Sequence, residues 1–397
     1  MPVTEREAAS AVPKQGWVRE YVRYAAGQTV APLIYHLGVG LATLSVTCPI
    51  DYGIRYAGSN LRANHFCMLV GRSGEDNKST ALNIGVEVLK RSGLDLIGEN
   101  PGSAEGMIES LQDKPRQMLP ISEMGKFLST AKAGYYEPIK ALFADVWDCT
   151  PQQRVRADRQ RRTIRAETPR LSVTAACSIP YLEKYTLAED WTGGFMGRWV
   201  VLYGRRERAD PIPLEHDDLV LASLADSLRD KAALPGAGYC MGFDTAAMQF
   251  WMNWYDDIMH RHIPSNIIGV RARAPTHALK AALLYGWDFG AAEHGHPWLI
   301  GLGELEPAVA LIELHIRGLV DLAEVIADHP DARLRRSVLQ VIDELGGAAK
   351  LGEILGVLKM RKRPVVETLD ALLEEGVLTY ERLPVEGEAP FGYVRAF

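Results

Sequence analysis

A short apolar run, His65-Phe66-Cys67-Met68-Leu69-Val70, leads directly into Gly71-Arg72-Ser73-Gly74-Glu75-Asp76-Asn77-Lys78-Ser79-Thr80. A helical pattern follows from Ala81 to Arg91 and stops near Gly93. No other feature restricts the fold of this chain as much. A buried strand, a glycine-containing loop and a helix opening on Lys-Ser-Thr form the context in which a loop cradles phosphate. Backbone N–H groups of such a loop and of the helix N-terminus hold phosphate oxygens. The expected nucleotide-binding set is Gly71, Ser73, Gly74, Asn77, Lys78, Ser79 and Thr80, with ATP and Mg2+ as ligands. Lys78 would reach the β- and γ-phosphates, and Ser79 or Thr80 would coordinate magnesium. The spacing from Gly71 to Lys78 is one residue longer than the usual motif, and Asn77 stands where glycine is usual. Asparagine tolerates a left-handed backbone better than most residues, so the turn is expected to survive. A plain surface loop, or a loop that binds without hydrolysis, remains open.

The acid that such a site needs comes next along the chain. Gln117-Met118-Leu119-Pro120-Ile121-Ser122-Glu123 is an apolar strand ending in a carboxylate, and Glu123 is the candidate for polarising an attacking water. Ser122 occupies the position where a magnesium-binding aspartate is often found. Leu171-Ser172-Val173-Thr174-Ala175-Ala176-Cys177-Ser178 reads as a third strand, expected beside the other two, with Ser178 and secondarily Thr174 near the γ-phosphate. A solvated strand-end glutamate and a core strand with an incidental polar tip are the plainer readings.

Two sets of arginines stand out. Arg198 closes Gly193-Gly194-Phe195-Met196-Gly197-Arg198, just before a strand from Val200 to Tyr203. An arginine fixed there could reach a neighbouring subunit's nucleotide and neutralise charge on the transferred phosphoryl group, or it could be a salt-bridged structural residue. Six arginines (Arg154, Arg156, Arg159, Arg161, Arg162 and Arg165) crowd a segment too basic for a buried element. They fit a hairpin or loop on DNA phosphates, or a solvated surface with acidic neighbours such as Asp148 and Glu167. No aromatic residue interrupts the run, which argues against base stacking there.

The segmentation expected is a helical N-terminal segment (1–60), an α/β core (61–212), a helix-rich region (213–330) and a small C-terminal domain (331–397). Helices are expected near Trp17–Ala25, Ala31–Leu44, Asp217–Ala232, Thr245–His260 and Thr276–Tyr285, with a linker at Asp328-His329-Pro330-Asp331. The last domain reads as helices at Leu334–Leu345, Lys350–Val357 and Lys362–Glu375, then a hairpin around Gly387, the pattern of a winged helix. Lys359, Arg361, Lys362 and Arg363 cluster where its third helix starts, the end that enters a major groove. The same helix is acidic further on, so DNA binding and protein docking are both expectations.

Composition narrows the classes. The charge is -6, so any nucleic-acid contact must come from local basic patches. No apolar run reaches the roughly 18 residues of a membrane span, and Val30–Val46 reads as a buried helix. The five cysteines are scattered, with no zinc spacing, which points to reduced thiols and a cytoplasmic home.

In order, Gly71-x-Ser-Gly-x-x-x-Lys78-Ser-Thr, Ser103-Ala-Glu-Gly106, Ser122-Glu123, Pro169-Arg-Leu-Ser172 and Gly193-Gly-Phe-Met-Gly-Arg198 resemble a family of mobile-element and phage proteins similar to primase-associated replicative helicases. The resemblance covers roughly residues 20 to 320. A weaker one is to AAA+ helicases of the minichromosome-maintenance type. It implies Arg198 as an arginine finger and Arg273, in Arg273-Ala-Pro-Thr-His-Ala-Leu-Lys280, as the sensor arginine of a helical lid. Together these imply an α/β P-loop NTPase core, AAA+- or RecA-like, with a helical N-terminal segment, a helical lid and a C-terminal winged helix. The implied activity is an ATP-dependent DNA translocase or helicase acting as a ring oligomer such as a hexamer, with any primase a separate partner. A nucleotide-gated DNA-binding initiator or regulator, or a helicase-loading adaptor, is the alternative.

Overall fold

The computed structural model describes residues 2–131, 137–155, 163–186, 190–191, 194–207, 217–234, 240–264, 267–290, 297–327, 330–374, 377–382 and 391–395. The chain forms two compact units, Met1–Leu322 and Ala323–Phe397.

In the first unit a fully buried hydrophobic helix organises the packing. After α1 (Glu5–Ala8) and α2 (Trp17–Gln28), α3 (Leu33–Ser45) buries every residue from Ile34 to Ser45. A helix apolar all round must be enclosed on all sides, and α3 packs against α2, α4 (Lys78–Arg91) and the main sheet. That sheet contains β3 (Phe66–Gly71), β4 (Arg116–Ile121), β7 (Arg170–Ser178) and β8 (Val200–Tyr203) in the order β4-β7-β3-β8, all parallel. β3 and β7 are buried along their whole length, as parallel strands covered on both faces should be. The remaining helices of this region are α5 (Ala104–Asp113), α6 (Met124–Ala131), α7 (Glu137–Trp147) and α8 (Ile179–Tyr185).

The first sixty residues are not only helical. β1 (Gly53–Tyr56) and β2 (Ser59–Arg62) form an antiparallel hairpin. Its two-residue turn, Ala57-Gly58, has both φ positive, at 48° and 81°, the geometry that matches strand twist. β1 also pairs with β9 (Cys240–Phe243), which pairs with β10 (Trp298–Ile300), so a second sheet runs β10-β9-β1-β2. Those two strands lie inside the region read from sequence as helical. Their brevity hid them, because three or four residues carry almost no periodicity.

α9 (Asp218–Ala233) lies against α2 and α4. α10 spans Thr245–His260, the range read from the sequence. α11 (Ile268–Asp288) is much longer than the expected Thr276–Tyr285 and runs through Pro275. A proline inside a helix forfeits one backbone bond, and the burial of Ala274, Pro275 and all of His277 through Asp288 outweighs that loss. α12 (Leu302–Ala327) completes this part of the chain. Among the described residues, no helix is long and apolar enough to cross a membrane.

The second unit contains α13 (Pro330–Glu344), α14 (Leu351–Leu358) and α15 (Lys362–Glu374). Beside them is a sheet of β11 (Ala348–Ala349), β13 (Phe391–Arg395) and β12 (Leu378–Arg382), in that order. Val338, Ile342, Ile354, Val365, Leu369 and Leu372 pack into one core. The proline of the expected linker, Pro330, is the first residue of α13, a position where its missing N–H costs nothing.

Candidate functional site

β3 ends at Gly71, opposite Ser178, the last residue of β7. The loop then turns through Gly74 (φ 74°) and Asn77 (φ 48°, ψ 34°) before α4 begins at Lys78. Asn77 thus takes the left-handed conformation that glycine usually supplies there. β4 ends at Ile121, and Glu123 follows it at the mouth of α6, its carbonyl accepting the N–H groups of Lys126 and Phe127. Because β7 lies between β3 and β4, the loop, Ser178 and Glu123 share the C-terminal edge of one parallel sheet.

These residues line a cleft of about 280 Å³. Ser73, Gly74, Asn77, Lys78, Ser79 and Thr80 come from the loop and α4, Ser122 and Glu123 from the end of β4, and Ser178 from β7. The Ser79 hydroxyl lies 3.5 Å from the Ser122 carbonyl oxygen. Lys78 Nζ donates to the carbonyls of Gly71 (3.2 Å) and Arg72 (2.7 Å). Desolvation lowers its pKa, and the Asp76 carboxylate opposes the shift. Thr174, the second candidate on β7, is placed elsewhere. It is buried in mid-strand opposite Cys67, four positions before Ser178 at the C-terminal end of β7.

Asp76 was not singled out from the sequence, yet it shapes the loop. It is 1% exposed. Its carboxylate accepts the N–H of Arg72 at 2.6 Å and of Arg206 at 3.0 Å. A side chain on Gly71 would sit 2.7 Å from it, so glycine is needed for this approach. The Tyr35 hydroxyl shares its one proton between the carbonyls of Val70 (2.6 Å) and Gly204 (2.9 Å), tying the ends of β3 and β8 together. A carboxylate two residues before the lysine, inside the lengthened loop, was the available signal.

Magnesium prefers oxygen ligands and keeps several waters, so a serine or threonine hydroxyl beside phosphate oxygens suits it. Ser79 and Thr80 of the cleft carry such hydroxyls, and no cluster of three or more His, Cys, Asp or Glu able to hold a metal occurs among the described residues.

Arg198 and Arg273 lie at the other end of the sheet. Arg198 precedes β8, whose C-terminal end neighbours the loop, and roughly 15 Å of strand separates the two ends. The Arg198 guanidinium meets Asp148 (3.2 Å) and the Gly194 carbonyl (3.0 Å). Arg273 stands beside it, and the nearest atoms to a side chain placed on Gly194 would be one guanidinium nitrogen from each. Burial, then the charge of Arg198, lowers the pKa of Arg273. From this edge neither arginine reaches the cleft of its own chain, as a sensor in the same subunit would have to.

The two ends of the basic segment lie in β5 (Gln152–Val155) and β6 (Thr163–Ala166), which pair antiparallel. Arg154 pairs with Glu105 and Arg165 with Glu167, each at 3.0 Å. Arg156, Arg159, Arg161 and Arg162 lie outside the described residues. In the second unit Lys359, Arg361, Lys362 and Arg363 are all exposed, and Arg363 pairs with Glu367 at 2.8 Å.

No protein-family model matches the sequence. No curated protein matches it either.

Proposed function

We propose that the cleft binds ATP with Mg2+ and hydrolyses it, and that the chain is a DNA-dependent motor of a mobile-element or phage replication system. One observation carries this reading: the glycine loop, Lys78–Thr80, Ser178 and Glu123 converge on one sheet edge although they are spread over a hundred residues. Loop N–H groups and Lys78 would bind the phosphates, and the hydroxyl of Ser79 or Thr80 would hold the metal. Bound magnesium would neutralise charge on the β- and γ-phosphate oxygens. Glu123 takes a proton as water adds to the γ-phosphorus; the bond to the bridging oxygen breaks, and ADP and phosphate leave.

Arg198, out of reach of its own cleft, serves the nucleotide of a neighbouring copy in a ring. The second unit is a winged helix that contacts DNA through Lys359, Arg361, Lys362 and Arg363, as does the arginine hairpin. A separate primase and a cytoplasmic setting complete the proposal.

The test is ATP hydrolysis by the wild type and Lys78→Ala, with and without single- and double-stranded DNA. DNA-stimulated turnover lost in the variant supports the motor. Mixing Lys78→Ala with Arg198→Ala chains should restore turnover, since each supplies what the other lacks. Hydrolysis by a strict monomer, indifferent to DNA, would sink the reading. A second reading rests on Asn77 and Ser122, the two departures at the cleft: a nucleotide-gated DNA-binding initiator, regulator or helicase-loading adaptor. Nucleotide binding without turnover would favour it.

A further inference from the structure

Trp147, the last residue of α7, is 1% exposed, and three cationic side chains and a buried histidine surround its indole. Lys280 Nζ lies 4.3 Å from the ring centroid, the Arg273 guanidinium 5.4 Å and the Arg198 guanidinium 5.8 Å. The His277 ring meets it edge-on at 5.3 Å. Arg273, His277 and Lys280 are spaced i, i+4, i+7, one face of α11. The same face reaches the Arg198 turn, because His277 Nε2 is 2.9 Å from the Gly197 carbonyl. A Cβ on Gly197 would come within 3.2 Å of Arg273 and of the Gly269 carbonyl, so glycine is what lets turn and helix meet.

The backbone of Trp147 is held as firmly as its ring. Its carbonyl accepts from Lys280 Nζ at 2.9 Å and from Asn64 Nδ2 at 3.2 Å. Asn64 also receives Lys280 Nζ on its own side-chain oxygen and donates to the Leu171 carbonyl at 3.0 Å. Lys280 is 2% exposed, with no carboxylate at ion-pair distance among the described residues. Desolvation brings its pKa down to about 8. A buried ammonium is costly, and an apolar residue of similar length would often pack there at lower cost. Cations over the face of an indole are attracted by its quadrupole, so the ring gathers charges that would otherwise repel.

We propose that Trp147 and Lys280 are positioning residues that hold Arg198 and Arg273 side by side as one two-cation receptor for a phosphoryl group carried by another copy of this chain. This rests on the reading of Arg198 as acting on a neighbour's nucleotide. A Cβ on Gly194, at φ 92°, would sit 3.2 Å from an Arg198 nitrogen and 3.3 Å from an Arg273 nitrogen, so glycine is what lets the two guanidinium groups share this turn.

The test measures kcat and KM for ATP in full-length Trp147→Leu, Trp147→Phe, Lys280→Met and Arg198→Ala chains, and in Arg198→Ala combined with each of the others. Trp147→Leu and Lys280→Met should lower kcat about tenfold or more, as small misplacements of acting groups do. KM should stay within about twofold, and once Arg198 is gone each should lower kcat by less than it does alone, because only Arg273 is left to misplace. Trp147→Phe, which keeps a ring face, should retain most of the activity. Normal kcat in Trp147→Leu and Lys280→Met beside an impaired Arg198→Ala overturns the positioning role and leaves the arginine reading standing. Losses that multiply with that of Arg198→Ala overturn it too. Normal kcat in Arg198→Ala overturns the underlying reading and the proposal with it. ATP-dependent self-association, followed by sedimentation, gives the same comparison without turnover and covers a Trp147→Leu chain that folds poorly, since Lys280→Met keeps the core volume. Absence of both readouts in the wild type overturns the proposal.

Discussion

The carboxylate of Asp76 accepts the backbone N–H of Arg206 at 3.0 Å, joining the phosphate loop to the segment that follows β8. Its other oxygen accepts the N–H of Arg72 within the loop itself. Asp76→Ala leaves both donors unsatisfied, which should cost about 2 to 4 kcal/mol of stability. It should also weaken nucleotide binding, because the loop loses its internal brace. Asp76→Asn keeps one acceptor oxygen and should fall between. Thermal unfolding and nucleotide titration of both variants check this.

Lys78 and Glu123 should separate binding from chemistry. Lys78→Ala should remove most nucleotide affinity, since it deletes the cation at the loop. Glu123→Gln should leave affinity within a few-fold and lower turnover by about 10²- to 10⁴-fold, the usual contribution of a general base. Neither should shift the melting temperature much, because Lys78 is only partly buried and Glu123 is exposed. Equal loss of affinity in both variants would contradict these roles.

Glu7 should make the first unit sensitive to acid. Arg317, then Thr4, draws its carboxyl from 4.5 down to about 2. A folded-state pKa below the unfolded one gives stability that is complete above pH 4.5 and lost as pH falls toward 2. The pair is substantially solvent-exposed, so the contribution is about 1 kcal/mol or less after screening. Denaturant unfolding at pH 5.5 and at pH 2.5, about the two ends of this window, should show a smaller drop for Glu7→Gln than for the wild type.

The exposed basic cluster of the second unit should act without supporting the fold. Replacing Lys359, Arg361, Lys362 and Arg363 together by alanine should leave thermal unfolding nearly unchanged. If the cluster binds DNA phosphates, the slope of log K against log salt should fall by roughly 3 to 4. Leu369→Ala, by contrast, opens the buried core of that unit and should cost about 2 to 5 kcal/mol. An unchanged salt slope in the quadruple variant would point to protein docking instead.

By itself the sequence determined the local pieces. The strand before Gly71, the helix after Asn77 and the strand leading to Glu123 could all be read because apolar runs, glycine and helix starts act over a few residues. So could α10 and the three helices of the second unit. Tertiary structure alone decided which of these pieces meet. Strand order put Ser178 rather than Thr174 at the edge shared with Gly71, and sent Arg198 and Arg273 to the opposite end. β9 took strand form on the edge that β1 offered and β10 on the edge of β9, which their own few residues do not announce. α11 passed through Pro275 because burial over its remaining length outweighed one lost hydrogen bond. The environments of Asp76, Trp147 and Lys280 likewise arise from partners far away in the chain. Local propensity reaches only a few residues, whereas burial and strand pairing depend on the whole fold.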